Sequence, residues 1–335
     1  MNARMPEIPA GKVQSVPKSP SQSDIDAYGP VGRSEWMDVD WQKHLRWVKV
    51  EDRWMNVVDI GEGPILLFVH GLSGCWQNWL ENIPHFARDH RVVGVDLPGF
   101  GESEMPEKKI SISNYADTID ALLDVLEVDQ PVRLVGNSMG GFIGAELAIK
   151  HPARLERLVL VAAAGLSVEY VRTQRHEGLR HRAENLAFFN IGWVASRSTM
   201  VVRRHRLRSA LLMIVAARPD RLPPEITYEL VKGSGKEGFS DALDALCTYP
   251  IRERLPEIEC PTFIVWGDKD RLVPLKDASL FEELIDDSRK VLYKDTGHLT
   301  MLERPARFNR DVREFLQEEP GETAPTESGA RTFAS

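Results

Sequence analysis

The stretch that decides the fold reads Val132-Arg133-Leu134-Val135-Gly136-Asn137-Ser138-Met139-Gly140. Its first four residues predict a buried strand, and residues 139–150 carry the small and apolar residues of a packed helix. A strand that turns directly into a helix needs a very tight turn, so glycines stand two positions either side of Ser138. Such a turn holds the serine in a strained conformation with its hydroxyl exposed. We therefore predict that Ser138 is a nucleophile, because a chance glycine-rich turn would lack this strand and helix.

A serine hydroxyl is a weak nucleophile and needs a base nearby. Of the nine histidines, His298 is best placed, because it follows the last predicted strand and a glycine. That position lies at the carboxyl edge of a parallel sheet, where ligands bind in such folds. The base in turn needs an orienting acid, and Asp268 and Asp270 both follow another predicted strand. Asp270 is favoured because it lies further from the strand end, and Asp268 is interpreted as a turn residue.

A tetrahedral intermediate needs backbone N–H groups that stabilise its oxyanion. One candidate is the amide of Met139, at the start of the helix that follows the serine. The other is the amide of Leu72, in the loop His70-Gly71-Leu72-Ser73-Gly74 after a buried strand. His70 and Gly71 are predicted to shape that loop.

Strands and helices alternate along most of the chain, which indicates a mostly parallel sheet with helices on both faces. The predicted strands cover residues 46–50, 54–60, 64–69, 91–95, 132–135, 158–162, 262–266 and 290–293. The predicted helices include residues 76–87, 114–127, 139–150 and 305–317. Between the sixth and seventh strands the alternation stops, and the pattern there is helical. We therefore predict an inserted helical cap.

The chain divides into five predicted parts. Residues 1–34, rich in Pro, Ser and Gly, are expected to form a poorly ordered N-terminal extension. The first part of the core covers 35–165, the cap or lid 166–255, and the second part of the core 256–318. Residues 319–335 are predicted to be a disordered tail.

Composition narrows the class of protein. The net charge is −8, which argues against nucleic-acid binding, since that usually needs a basic surface. Three cysteines without paired spacing predict neither a disulfide framework nor a zinc site. Free thiols and the lack of a secretory signal pattern favour the cytoplasm. No metal and no cofactor are expected, and the oligomeric state is left open.

The chain resembles the α/β-hydrolase superfamily over about residues 45–317. The resemblance rests on five motifs in family order: His70-Gly71, Asp96-Leu97-Pro98-Gly99-Phe100-Gly101, Gly136-Asn137-Ser138-Met139-Gly140-Gly141, Gly267-Asp268-Lys269-Asp270 and Gly297-His298. It implies an eight-stranded, mostly parallel sheet with a cap inserted after strand six. It also implies a catalytic triad of Ser138, His298 and Asp270. Some members carry the acid after strand six, but the chain has no carboxylate in residues 162–165.

The resemblance leaves several reactions open. The main prediction is a lipase-like carboxylesterase that cleaves a small or lipophilic ester through an acyl-enzyme. The alternatives are a carbon–carbon bond hydrolase of ring-cleavage products, a cofactor-free haloperoxidase or an acyltransferase, and a non-catalytic ligand-binding protein is disfavoured. The Gly-Asn-Ser-Met-Gly-Gly string resembles the carbon–carbon hydrolases. Those enzymes usually carry a Gly-x-Gly-Pro-Gly loop and a tryptophan after the histidine, where this chain has Leu299.

The predicted cap has an unusual charge pattern. Residues 172–221 contain eleven arginines, no lysine and three acids. An apolar segment that includes Phe188, Phe189, Ile191 and Trp193 lies within this range. A solvated basic face over a packed helix is one interpretation. The other is an amphipathic lid, with Arg204 and Arg208 turned away from its apolar side, that makes peripheral contact with an anionic membrane.

Overall fold

A computed structural model describes residues 25–167 and 204–318. The predicted tail 319–335 and most of the predicted N-terminal extension lie outside the described residues, as does the apolar segment of the predicted cap. Residues 25–34 of that extension are described, and they contact the core. Gly29 N–H donates to the carbonyl of Glu303 at 2.8 Å, and Ser34 is buried.

Eight strands form one sheet in the order β1-β2-β4-β3-β5-β6-β7-β8. Strand β2 is antiparallel to β1 and β4, and all the other pairs are parallel. This arrangement confirms the predicted fold class. The strands are β1 Leu45–Val50, β2 Arg53–Ile60, β3 Ile65–Val69, β4 Arg91–Val95, β5 Val132–Asn137, β6 Leu155–Val161, β7 Thr262–Gly267 and β8 Ser288–Tyr293.

The central strands are buried on both faces, which explains their continuous apolar sequences. Successive side chains of a strand point to opposite faces. Leu67 and Val69 of β3 therefore pack into one hydrophobic cluster, while Leu66 and Phe68 pack into a second. The sheet thus separates two apolar layers, each covered by helices.

Nine α-helices lie in the described ranges: α1 Ile83–Phe86, α2 Ile112–Val125, α3 Met139–Lys150, α4 His205–Leu212, α5 Pro224–Gly233, α6 Phe239–Thr248, α7 Leu275–Leu284, α8 Thr300–Glu303 and α9 Pro305–Gln317. The single helix predicted over 76–87 is wrong. A 3₁₀ turn, Trp76–Trp79, is followed by the separate short helix α1. Pro84 has no N–H and its ring would clash with the carbonyl four residues earlier, so one helix cannot run through this range. No helix in the described ranges is long and apolar enough to cross a membrane.

The chain between β6 and β7 carries helices α4, α5 and α6, and the described part of it contains no strand. It contacts loops at the carboxyl end of the sheet. Val215 accepts a backbone hydrogen bond from the His298 N–H at 2.9 Å, and Gly238 N–H donates to the Gly99 carbonyl at 3.1 Å. The described part of the predicted cap therefore lies against the loops that carry the candidate site.

One expectation about the cap arginines is wrong. Arg204 is exposed, but Arg208 is only 5% exposed. Its Nε donates to Thr227 Oγ1 at 3.2 Å, and its Nη2 donates to the carbonyl of Pro224 at 3.1 Å. Helix α5 supplies oxygen acceptors for the guanidinium, so Arg208 turns toward the protein and is not presented to a charged surface.

Candidate active site

The turn between β5 and α3 holds Ser138 at φ 54° and ψ −116°, a positive φ that residues other than glycine rarely adopt. Hydrogen bonds fix this conformation. Ser138 N–H donates to the carbonyl of Val161 at 2.9 Å, and the Ser138 carbonyl accepts from Phe142 and Ala164, each at 3.1 Å. The backbone at Ser138 is strained and held on both sides, as a nucleophile on a tight turn requires.

Gly136 and Gly140 are needed because the turn brings backbone into contact with backbone. A Cβ placed on Gly136 would lie 2.3 Å from the carbonyl oxygen of Gly140. A Cβ on Gly140 would lie 2.2 Å from the carbonyl oxygen of Val69. The Gly140 oxygen belongs to helix α3 and the Val69 oxygen to strand β3, so neither can move without disturbing the element that holds it, and the sharp turn depends on both glycines.

We expect Gly140→Ala to lower the free energy of unfolding by roughly 3 kcal/mol, because the added methyl group meets backbone that cannot shift. Gly144→Ala in the same helix is the matched control, since its Cβ would meet only the ends of the Leu134 and Leu158 side chains. Alanine also favours helix over glycine by about 1 kcal/mol. Urea denaturation of both variants measures the difference. Equal losses in the two would show that the Gly140 turn tolerates a side chain.

The structure brings His298 and Asp270 together. His298 Nδ1 lies 2.8 Å from Asp270 Oδ2, and the two side chains are 4% and 0% exposed. The other carboxylate oxygen of Asp270 accepts the backbone N–H groups of Leu272 at 2.8 Å and Val273 at 3.0 Å. A carboxylate facing Nδ1 places the ring proton there and leaves Nε2 free to accept a proton.

Asp268, the rival acid, lies in a different position. Its Oδ1 accepts the backbone N–H of Thr296 at 3.3 Å, and its Oδ2 pairs with Lys269 at 3.4 Å. Asp268 therefore connects the loop after β7 to the loop after β8, and does not contact the imidazole.

The serine turn and the histidine loop meet through Asn137. Its Nδ2 donates to the carbonyl of Val161 at 3.1 Å and to the carbonyl of His298 at 3.4 Å. Within the described ranges, the Ser138 hydroxyl itself makes no hydrogen bond. The structure thus places Ser138 and His298 on adjoining loops without hydrogen-bond contact, and such contacts commonly tighten only when substrate is bound.

The loop after β3 lies directly against the serine. A Cβ on Gly71 would come within 2.9 Å of Ser138 Cβ. His70 is fully buried, and its Nε2 accepts the N–H of Leu97 at 3.0 Å. Nδ1 therefore carries the proton and donates to the carbonyl of Gly71 at 2.7 Å. Burial lowers the pKa of His70 to about 4, so it is neutral at physiological pH and acts as a fixed strut in the loop.

The amides of Leu72 and Met139 are the predicted oxyanion donors. Among hydrogen bonds within the described ranges, neither N–H has an acceptor. Met139 N–H belongs to the first turn of α3, where backbone N–H groups lack helical partners. Both amides thus remain available to a ligand atom. The described ranges hold no cluster of three or more His, Cys, Asp or Glu side chains suited to a metal.

Two acidic residues bind the backbone of loops near the site, and the sequence analysis did not predict this role for either. Asp96 is fully buried and accepts hydrogen bonds from the Trp76 N–H at 2.8 Å and the Glu102 N–H at 2.9 Å. It therefore fixes the chain that follows the His70 loop. The signal in the sequence was an acid placed directly after a buried strand. Glu303 is also fully buried and binds the backbone of the histidine loop. In the sequence, the structural role of Glu303 is indicated only by its position two residues before Pro305.

The family model of the α/β hydrolase fold matches residues 64–305, and the chain belongs to this family. It is 31% identical over 279 residues to 2-hydroxymuconate semialdehyde hydrolase from Pseudomonas sp. (strain CF600), an alignment that covers 78% of this chain and 90% of the relative. The protein is therefore a hydrolase.

Two solved structures at 26% identity are also similar. One is a meta-cleavage product hydrolase from Pseudomonas fluorescens IP01, with a TM-score of 0.62 over 81% of this chain and 97% of that one. The other is described as a membrane phospholipase A and a bacterial virulence factor, with a TM-score of 0.66 over 81% of this chain and 85% of that one. The similar proteins thus include both carbon–carbon and ester hydrolases.

Proposed function

We propose that the protein hydrolyses a carbon–carbon bond next to a carbonyl group in an unsaturated ring-cleavage product. This was the alternative in the sequence analysis, where ester hydrolysis was the main prediction. The observation that carries the proposal is the match to 2-hydroxymuconate semialdehyde hydrolase over 90% of that relative. The geometry of Ser138, His298 and Asp270 supports it, since the reaction begins with addition to a carbonyl group.

In the proposed mechanism, Ser138 Oγ adds to the substrate carbonyl while His298 Nε2 takes the hydroxyl proton. The N–H groups of Leu72 and Met139 stabilise the resulting oxyanion. In a dienol substrate, the enol first tautomerises to the conjugated ketone, which moves the enol proton onto the carbon that will leave. The carbon–carbon bond then breaks, and its electron pair is delocalised as a dienolate whose carbon takes the proton from His298. An acyl-serine remains. Water, deprotonated by His298, hydrolyses the acyl-serine and releases a carboxylic acid.

Carboxylic-ester hydrolysis is the second candidate, and a specific observation favours it. Leu299 stands where the carbon–carbon hydrolases usually have tryptophan, and the loop 70–74 lacks their Gly-x-Gly-Pro-Gly pattern. The same residues would perform this reaction, with an alcohol as leaving group in place of a carbon. The two functions differ in the leaving group that the site accepts and in the tautomerisation that a dienol substrate needs before its carbon can leave.

The test compares both substrate classes in one preparation. We expect 2-hydroxymuconate semialdehyde or 2-hydroxy-6-oxo-2,4-heptadienoate to be cleaved with a kcat/KM at least about tenfold above that of any p-nitrophenyl ester, a difference of about 1.4 kcal/mol in transition-state stabilisation. Loss of the dienol absorbance follows the first class, and p-nitrophenol release the second. Ser138→Ala is the control for each. Efficient turnover of esters alone would transfer the proposal to the second candidate.

A further inference from the structure

Glu303, the last residue of α8, is a buried carboxylate that binds three separate segments of the chain. It is fully buried. From the histidine loop, it accepts the backbone N–H of Gly297 at 2.9 Å and that of Leu299 at 3.2 Å. It also accepts the N–H of Ala217 at 2.8 Å and the hydroxyl of Tyr28 at 2.6 Å. Four donors therefore converge on one carboxylate.

These contacts hold the backbone on both sides of His298. The residues on both sides of it in sequence donate to Glu303, and its own N–H donates to the carbonyl of Val215 at 2.9 Å. Val215 lies two residues before Ala217, which Glu303 also holds. The backbone that carries the imidazole is thus fixed against the chain between β6 and β7.

An ionised carboxylate suits this position because it offers only acceptors to three backbone N–H groups, which can only donate, and to the Tyr28 hydroxyl, which donates its proton here and accepts from the Arg218 N–H. Burial raises the pKa of Glu303, and the four hydrogen bonds oppose that shift. Within the described ranges, Glu303 forms no salt bridge with lysine or arginine. The backbone N–H groups and the Tyr28 hydroxyl are therefore its main compensation for burial.

We propose that Glu303 is a positioning residue, which holds the His298 imidazole in the orientation that proton transfer with Ser138 requires. It touches no reacting atom and acts through the backbone of residues 297–299. The proposal rests on the proposed role of His298 as the base. A small error in the placement of a catalytic group can lower a rate by about 100-fold.

Labelling of Ser138 by a fluorophosphonate probe tests the proposal without knowledge of the natural substrate. In Glu303→Gln, the amide nitrogen would face N–H donors, so the loop must shift. We expect the rate constant of the labelling step to fall about 100-fold while the apparent binding constant of the probe changes less than about twofold. Glu303→Asp keeps the charge but shortens the side chain, so it should recover about tenfold of the lost rate and still label about tenfold more slowly than the unmodified protein.

Asp311→Asn is the matched control, because Asp311 accepts the hydroxyl of Tyr293 at 2.9 Å from helix α9 and contacts no residue of the histidine loop. It should lower the melting temperature and leave the labelling step within about twofold of the unmodified protein. A Glu303→Gln protein that is less stable but labels at the unmodified rate would overturn the proposal. If that variant does not fold, Glu303→Asp decides alone, since unchanged labelling there would also overturn it.

His298→Ala separates this proposal from the proposed function. If His298→Ala labels at the unmodified rate, the role of His298 as the base is wrong. If His298→Ala is inactive and the Glu303 variants label normally, only the positioning role of Glu303 is wrong.

Discussion

Ser138→Ala is expected to remove covalent labelling by a fluorophosphonate and to lower kcat by about 10⁶-fold, as loss of the nucleophile does in other serine hydrolases. The reason is the position of Ser138, on a strained turn against the Gly71 loop and near the Leu72 and Met139 N–H groups, which have no acceptor among the residues the structure describes. The variant should fold normally, because the hydroxyl makes no hydrogen bond within the described ranges. Mass spectrometry of the labelled protein and circular dichroism measure the two outcomes.

Ser111→Ala is the control for this variant, since Ser111 also precedes a helix. Its Oγ accepts the N–H of Asn114 at 3.0 Å and caps α2. Loss of that cap should cost about 1 kcal/mol of stability and leave labelling unchanged. Labelling of Ser138→Ala at the unmodified rate would show that another residue is the nucleophile.

Asp270→Asn is expected to lower kcat by about 10⁴-fold, and His298→Ala by at least as much. An asparagine can turn its NH₂ group toward His298 Nδ1, which would move the ring proton to Nε2 and block its role as a base. Asp268→Asn should stay within about tenfold of the unmodified kcat, because Asp268 contacts the backbone N–H of Thr296 and the side chain of Lys269 rather than the imidazole. Steady-state kinetics on the best substrate measure all three.

The two aspartate variants differ by two positions in one loop and remove the same charge, so each is the control for the other. A larger loss for Asp268→Asn would mean that the orienting acid is assigned to the wrong residue. Equal small losses would mean that His298 needs no orienting carboxylate.

Much of the fold was predictable because the decisive signals are local. The apolar segment before Gly136 and the helix after Ser138 lie within twenty residues, and helix α3 has the predicted bounds Met139–Lys150. Helix α9, Pro305–Gln317, also begins at the predicted proline. Segments whose structure depends on neighbours in sequence were therefore predicted well.

Contacts between distant segments were not predictable from spacing. Glu303 accepts hydrogen bonds from Tyr28, Ala217 and the histidine loop. The residues next to Glu303 in sequence do not predict these partners. The helical pattern places Arg208 on a solvated face, but Thr227 and Pro224 of another helix bind its guanidinium. Helical periodicity predicts which residues share a face of a helix, but it does not predict which of those faces packs against another element.

The sequence motifs also could not predict which reaction the protein catalyses, and the reason is chemical. Ester and carbon–carbon hydrolysis both need a nucleophile, a base and an oxyanion site, so the residues around Ser138 and His298 do not separate them. The apolar segment with Phe188 and Trp193 lies outside the described residues, and its contact with a membrane stays a prediction.

The pairing of β6 with β7 has a consequence for how the protein is made. Leu158 pairs with Thr262 across an intervening stretch of about a hundred residues, and the Asn137 amide reaches the carbonyl of His298 from 161 positions away. Contacts of such high sequence separation form slowly, because long loops must close before any contact repays their entropy. A ribosome releases the Ser138 half of the site well before the His298 half. Hydrolytic competence is therefore among the last properties the chain acquires during folding, and the nascent polypeptide carries the proposed nucleophile Ser138 before the proposed base His298 is in place.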